Sequence, residues 1–308
     1  MVRYFGLRKQ TAFDAPAAPN RFIDVLSANP NPSDERTFPP SLASRETTLW
    51  LPGRKYSEPE LECYLFPEGL EGLFHSFFQS VTTTTLDATN NVYRHEFKPA
   101  PYGTELTYYT WEMGFDEVTA LRIPNVVVNT LSISMSADEP PTLSVSAVGG
   151  FPATAPLATS ITYPSVRQFI NSDISVTVAD APAELIELEV EFNNNLDPFH
   201  DLTATMRGID LSALEVSGRF SARFRTAEHL NRFLSADETS LNITLTGPVA
   251  GGTYNYQLEI DMPRIAYEAW AGEIRGGERL VQDINFRALK PATGNAVVLR
   301  LTNKVAEV

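Results

Sequence analysis

Four histidines, one cysteine and several adjacent carboxylates are the residues of this 308-residue chain with the chemistry for catalysis or metal binding. His75, His95, His200 and His229 are scattered, and none stands at ligand spacing from another histidine, from Cys63 or from a carboxylate, so no metal is expected. His75 and His229 fall on two short helical patterns and read as surface or cap residues. Asp34 with Glu35, and Asp138 with Glu139, are neighbours in loop-type sequence, where two carboxylates are ordinarily both solvated. There is no Gly-x-Ser-x-Gly elbow, phosphate-cradling glycine loop or dinucleotide fingerprint, and the Gly-Gly pairs beginning at Gly149, Gly251 and Gly276 fall at strand ends. The chain is read as a non-enzyme without cofactors.

Charge narrows the partners. The excess of 38 acidic over 24 basic residues, with a pI near 4.8, argues against a surface that grips nucleic acid by neutralising phosphates. It suits a surface that must not stick to DNA, as it also suits plain solubility. A lone cysteine excludes a disulfide framework, and Cys63 reads as a small core residue. The first ten residues lack the apolar run of a signal peptide, and no stretch approaches the ~20 apolar residues of a membrane span.

The elements that would position any site are mostly strands. From Glu60, Leu61, Cys63 and Leu65 alternate with polar residues as in a half-buried strand, and from Pro67 to Gln79 the apolar residues Leu70, Leu73, Phe74, Phe77 and Phe78 follow helical spacing. The same device returns later. Phe220, Ala222 and Phe224 alternate with Arg219, Ser221, Arg223 and Arg225. Thr226 then stands at an N-cap position, and Leu230, Phe233 and Leu234 repeat the helical spacing. Setting Phe66 on Thr226 places Leu70, Leu73 and Phe74 on Leu230, Phe233 and Leu234. A second correspondence sets Pro124 on Pro263, Val145 and Ala147 on Ile284 and Phe286, and the turn at Asp138–Pro141 on the one at Gly276–Glu278. The asparagines at 193–195 hold the place of Asn29 and Asn31. Identity between the halves is low, and the strands before the two helices align with a one-residue slip, which calls for a bulge. The reading is one β module present twice.

This gives an arm at residues 1–20, a first module at 21–150, a Gly/Pro-rich linker at 151–164 and a second module at 165–308. Between Asn31 and Gly53 runs a long proline-bearing loop with Asp34, Glu35, Arg36, Arg45 and Glu46, and loops of that length inside compact modules are usually functional. The loop and the arm are expected to bridge to neighbouring molecules. The outward faces of the equivalent strands of the two modules differ in sign, Glu58, Glu60 and Glu62 against Arg219, Arg223 and Arg225, which would let unlike modules meet and disfavour like pairs.

On these features the chain resembles the tail tube proteins (major tail proteins) of long, flexible, non-contractile bacteriophage tails of the siphovirus type. The residues that carry the resemblance are Asn29-Pro-Asn-Pro32, Leu65-Phe-Pro-Glu-Gly-Leu70 leading into the helix, and Asn193-Asn-Asn-Leu-Asp-Pro198. To these are added Met262-Pro-Arg264, Leu280 to Leu289 and the final strand Ala296 to Asn303. The resemblance implies a mainly β protein of two tandem tail-tube-like sandwich or barrel modules, each flanked by one short helix. It also implies a virion protein, made in the host bacterial cytoplasm, that forms stacked rings around a DNA conduit. Double-module members imply homotrimeric, pseudo-hexameric rings, with a hexamer as the alternative. Tail tip, tape measure and terminator proteins are the implied partners, and DNA passes through without sequence-specific binding. The rival reading is a two-domain β-sandwich carbohydrate-binding or adhesin module, with Tyr108, Tyr109 and Trp111 as the sugar platform.

Overall fold

Wherever apolar and polar residues alternate, the chain is strand, and the described strands number twelve in the first half and ten in the second. The computed structural model describes residues 3–40, 45–272 and 280–308. The first half holds β1 (Tyr4–Lys9), β2 (Arg21–Ile23), β3 (Ser27–Asn29), β4 (Pro32–Asp34), β5 (Lys55–Ser57), β6 (Glu60–Tyr64) and helix α1 (Glu71–Phe78). It continues with β7 (Val81–Asp87), β8 (Val92–Phe97), β9 (Tyr109–Phe115), β10 (Thr119–Ser136), β11 (Thr142–Val148) and β12 (Ala153–Ala155). The second half holds β13 (Ile174–Val178), β14 (Ala181–Pro182), β15 (Leu185–Asn193), β16 (Asp197–His200), β17 (Met206–Asp210), β18 (Glu215–Arg223) and helix α2 (Glu228–Ser235). It ends with β19 (Thr239–Gly251), β20 (Tyr254–Gly272), β21 (Val281–Ala288) and β22 (Val298–Asn303).

The halves pair their strands in the same order. In the first, β2–β1–β9–β10–β11–β6–β3 are antiparallel neighbours; in the second, β14–β13–β19–β20–β21–β18–β15 are. The short strands β12 and β22 return to the first parts of β10 and β20, and each half has a separate hairpin, β4–β5 or β16–β17. Only the β7–β8 hairpin has no second-half counterpart among the described residues.

Register makes the likeness residue by residue. Val128, Thr130 and Leu131 face Ala147, Ser146 and Val145; Tyr267, Ala269 and Trp270 face Phe286, Asn285 and Ile284. The spacing that takes Pro124 to Pro263 maps every one of these pairs onto its counterpart, and the bulges at Asn129 and Glu268 coincide. Asn31 donates to the Asn29 side chain at 3.2 Å and Asn195 to Asn193 at 2.8 Å, each with a left-handed backbone. The turn expected at Gly276–Glu278 lies outside the described residues.

Several expectations are corrected. Tyr4–Lys9 is not part of a free arm: β1 sits between β2 and β9, with Phe5 and Leu7 in the core, because its two apolar positions alternate inward. Part of the expected linker, Ala153–Ala155, is a strand. Pro67 precedes the first helix rather than opening it, and the second helix starts after Ala227 with no side-chain cap from Thr226. No bulge interrupts β6–β11 or β18–β21; the slip is taken up by a strand-to-helix loop two residues shorter in the second half. Consequently the helices match by their left-handed C-caps, Gln79 and Ala236, which sets Phe77 on Leu234 and Leu73 on Leu230. The sequence alignment lies one turn away, as an apolar pattern of that period matches itself when slid by a turn. Among the described residues the pairings branch at β10 and β20 and never return to a starting strand, so the large antiparallel sheets stay open and no barrel closes there.

The halves are locked together. The far edge of β10 takes β15, from Thr130 opposite Asn193 to Ser136 opposite Glu187, and β8 takes β22. One apolar core runs through both halves. Helix α1 lies at this joint, close enough to β1 that a Cβ on Gly72 would stand 2.5 Å from Leu7. Its Phe77 and Phe78 pack on Phe192 of β15, and Phe74 and Phe78 on Phe97 of β8.

Candidate functional site

Strand alternation gives the sheet β3–β6–β11–β10–β15–β18–β21 one apolar face and one polar face. On β6, β11, β10 and β15 the residues Leu61, Cys63, Leu143, Val145, Leu131, Ile133, Leu188 and Val190 are buried. The residues between them project the other way. A single cross-strand row reads Ser27, Glu62, Ser144, Ser132, Glu191, Ser217 and Arg287. The polar face from β3 to β15 is made of Ser27, Asn29, Glu60, Glu62 and Tyr64, the serines and threonines of β10 and β11, and Glu187, Glu189 and Glu191. It holds no lysine or arginine. The arginines begin on β18, where Arg219 lies 3.3 Å from Glu189; Arg287 on β21 is held by Glu268 at 2.5 Å and Glu215 at 3.7 Å.

At the Asn29 and Asn193 end of this sheet both extra hairpins project side by side, with the Tyr56 and His200 rings edge to face at 5.9 Å. The first is closed by ion pairs: Arg36 to Asp34 at 2.8 Å, Arg54 to Glu35 at 2.7 Å, Lys55 to Asp34 at 3.7 Å. Gly53 is required there, since a Cβ would fall 1.7 Å from the Glu35 carbonyl oxygen. Beyond the ion pairs the hairpin exposes Phe38, Leu49, Trp50 and Leu51, with Arg36 stacked 4.9 Å from the Trp50 ring, and Arg45 and Glu46 are exposed too. The second hairpin exposes Phe199 and Leu202. Its turn is tied by Asp201, whose carboxylate accepts from Thr203, Arg207 and Thr205 and is thereby held well below the usual range.

The profile of a family described as "Phage tail tube protein" matches residues 3–288, nearly the whole chain. The chain belongs to the phage tail tube protein family. No curated protein matches it. Membership makes it a structural component of a phage tail, in a family that self-assembles into a tube with other tail proteins.

In this tail tube chain the chemically capable residues serve structure. The Tyr109 hydroxyl meets His75 at 2.7 Å, and burial, with Lys9 nearby, pushes the His75 imidazole down to about 4. The Thr83 hydroxyl and the Val305 carbonyl hold His95 at 2.9 and 2.8 Å; His229 meets Tyr267 at 2.9 Å, and His200 lies 3.2 Å from the Pro198 carbonyl. The expectation that His75 is a surface or cap residue is corrected, because α1 is covered on all sides. Among the described residues no cluster of His, Cys, Asp and Glu forms a metal site. Burial pushes the Cys63 thiol up to about 12. Tyr109 and Trp111 are buried and Tyr108 packs on Phe13 at 5.1 Å, so the three aromatics form no exposed sugar platform. No helix among the described residues is long and apolar enough to cross a membrane.

The two expected charge sets do not meet within one chain. Glu60 and Glu62 lie on β6 and Arg219 and Arg223 on β18, with β11, β10 and β15 between them, while Glu58 precedes β6 and Arg225 follows β18. Arg225 pairs instead with Glu184 at 2.8 Å.

Sequence reading missed the polar ties at the joint. Asn194 is buried and donates to the carbonyls of Phe77 at 2.9 Å and Val128 at 3.3 Å. Asn303 of β22 donates to the Pro67 carbonyl at 3.1 Å and to buried Glu71, which Arg21 approaches at 3.5 Å. Burial raises the Glu71 pKa, opposed by its backbone hydrogen bonds and Arg21. Arg300 spans Glu96 and Glu259 at 2.9 and 3.0 Å. The sequence signal for this was a glutamate at the start of a helix rich in leucine and phenylalanine.

Proposed function

We propose that this chain forms rings of three copies that stack into the tube of a long, non-contractile, siphovirus-type tail, the conduit for DNA ejection into the host. The observation that carries the count is the strand-for-strand repeat. Each chain brings two equivalent modules, divided between Ala155 and Ile174, and three chains supply six around a closed head-to-tail ring. Native mass spectrometry of rings, or symmetry analysis of tube images, tests it: three copies are expected, and six per ring would overturn the count.

The Ser- and Glu-lined face supports assignment as the lumen wall. DNA carries about one charge per 1.7 Å, and a basic wall would hold it through counterion release instead of letting it slide. An atomic structure of the tube with a positive lumen would overturn this part. Around such a wall the Glu58, Glu60 and Glu62 stripe alternates with Arg219, Arg223 and Arg225, which would set register at ~0–1 kcal/mol per surface pair.

The hairpin from Asn31 to Gly53 is proposed to bridge successive rings, since its exposed Phe38, Leu49, Trp50 and Leu51 suit burial against another molecule. With β1 in the core, the arm contributes at most its residues after Lys9. Phe38→Asp with Trp50→Asp should leave rings that do not stack; normal tubes would count against the bridge. The proposed partners are further copies and the tail tip, tape measure and terminator proteins, after synthesis in the bacterial cytoplasm and in the finished virion.

A further inference from the structure

The joint between the two halves of one chain is a template for the joint between chains. Strand β10 uses one edge for β11 and the other, from Thr130 to Ser136, for β15. Its counterpart β20 pairs with β21 in the matching register, but past Ile265, which faces Thr239, the first residue of β19, its other edge has no partner strand among the described residues. The counterpart of β15 is β3, which pairs with β6 on one side and with no described strand on the other. One open acceptor edge and one open donor edge therefore remain, and they are the two edges that are joined inside the chain.

Three further observations agree. Phe77 of α1 is buried on Phe192 of β15, whereas Leu234, at the same distance from the helix C-cap in α2, is 71% exposed. A groove of about 400 Å³ beside β3 is lined by Phe5, Ile23, Leu26 and Met113; the matching groove beside β15 is lined in part by Met135 and Ser136, from the neighbouring strand β10. The free edge of β20 carries Ala266, Ala269, Ala271 and Gly272, with none of the lysines or prolines that commonly blunt an edge, and small side chains admit a second strand closely.

Resting on the ring reading above, we propose that Ala266–Gly272 of β20 pairs antiparallel with β3 of a second copy of this chain, and that Leu234 of α2 is buried under that strand. The turn Asn29-Pro30-Asn31 of the second copy then docks at the Glu268 bulge, as the Asn193-Asn194-Asn195 turn docks at Asn129. There the Asn194 N–H meets the Asn129 carbonyl at 2.9 Å and the Leu196 N–H meets its side chain at 2.9 Å. Pro30 has no N–H, so the joint between chains lacks one of these bonds and is the weaker of the two. Because donor and acceptor are different edges, the contact is heterologous, and on the ring reading the rotation it imposes between copies closes after three.

Keyed on the shared asparagine turn, Ser27 of one copy stands opposite Ala271 of the next, as Glu191 stands opposite Ser132. The test is Ser27→Cys with Ala271→Cys, two exposed positions, oxidised at assembling concentration. Denaturing gels should show covalent species ending at the trimer, while either single substitution alone shows none. In parallel, Leu234→Asp should keep the urea midpoint of the dispersed chain and raise the concentration needed for ring formation at least tenfold. Rings that form normally with Leu234→Asp and stay uncross-linked would overturn this pairing and leave the ring reading standing. A wild-type chain that stays monomeric at every concentration would overturn both.

Discussion

Helices α1 and α2 are eight residues each, follow equivalent strands and end in the same left-handed cap, yet every residue of α1 is buried and none of α2 is. Their own sheets do not explain this, since each packs on the long strand of its own half. The difference is what covers them from outside: β8 and β15 for α1, nothing described for α2. Their composition follows, as α1 carries Leu73, Phe74, Phe77 and Phe78 while α2 carries Asn231, Arg232 and only one apolar stripe. Burial of a helix here is a property of the joint, not of the module.

The sharpest way to break this comparison is to truncate the matched positions in the dispersed chain. Phe77→Ala should cost about 3–5 kcal/mol by urea denaturation, as a cavity opens against Phe192. Leu234→Ala should change stability by no more than about 0.5 kcal/mol. Equal costs would show that the helices are not distinguished by the joint.

Next in size is pH. The folded chain keeps His75 neutral down to about 4, against 6.5 for the free side chain, so its contribution is full above pH 6.5 and is lost as pH falls toward 4. The full loss is about 3 kcal/mol. Glu71, with a raised pKa, works in the opposite direction, so the quantity to measure is the difference between wild type and His75→Gln across that window. His229 is also shifted down by burial, but α2 is open, and His229→Gln should flatten the profile less.

Asn194→Ala should cost about 1–3 kcal/mol by leaving the Phe77 and Val128 carbonyls unmet at the joint. Asn31→Ala, in the matching turn of the first half, should cost less in the dispersed chain, because that turn accepts the Glu58 N–H, at 3.2 Å, and among the described residues docks on no second strand as the Asn194 turn does on β10.

The smallest effect distinguishes the caps. Ala236→Gly should stabilise by roughly 0.5–1 kcal/mol, since its φ of 55° strains any residue with a Cβ and its methyl group makes no hydrogen bond. Gln79→Gly relieves the same strain but loses the bonds to the Ser76 carbonyl at 2.6 Å and from the Thr107 N–H at 2.7 Å, so it should be net destabilising.

Much was legible before any coordinates. Alternation from Glu60 through Leu65 gave the strand that the structure places at Glu60–Tyr64, because a half-buried strand exposes every second residue and local sequence alone records it. Pro124 and Pro263, with the asparagine turns, gave the repeat, as turns and bulges demand particular residues at particular positions. Phe5 and Leu7 were passed over since two apolar positions are too short a signal for a strand. What only the tertiary structure decided is which edge meets which. Backbone N–H and C=O groups are the same at every residue, so nothing in the sequence says that β10 takes β15 or that β8 takes β22. Nor does it say that Glu71 and Asn303, far apart in the chain, are buried together: that pairing becomes favourable only once the surrounding residues have excluded water and left each polar group no other partner.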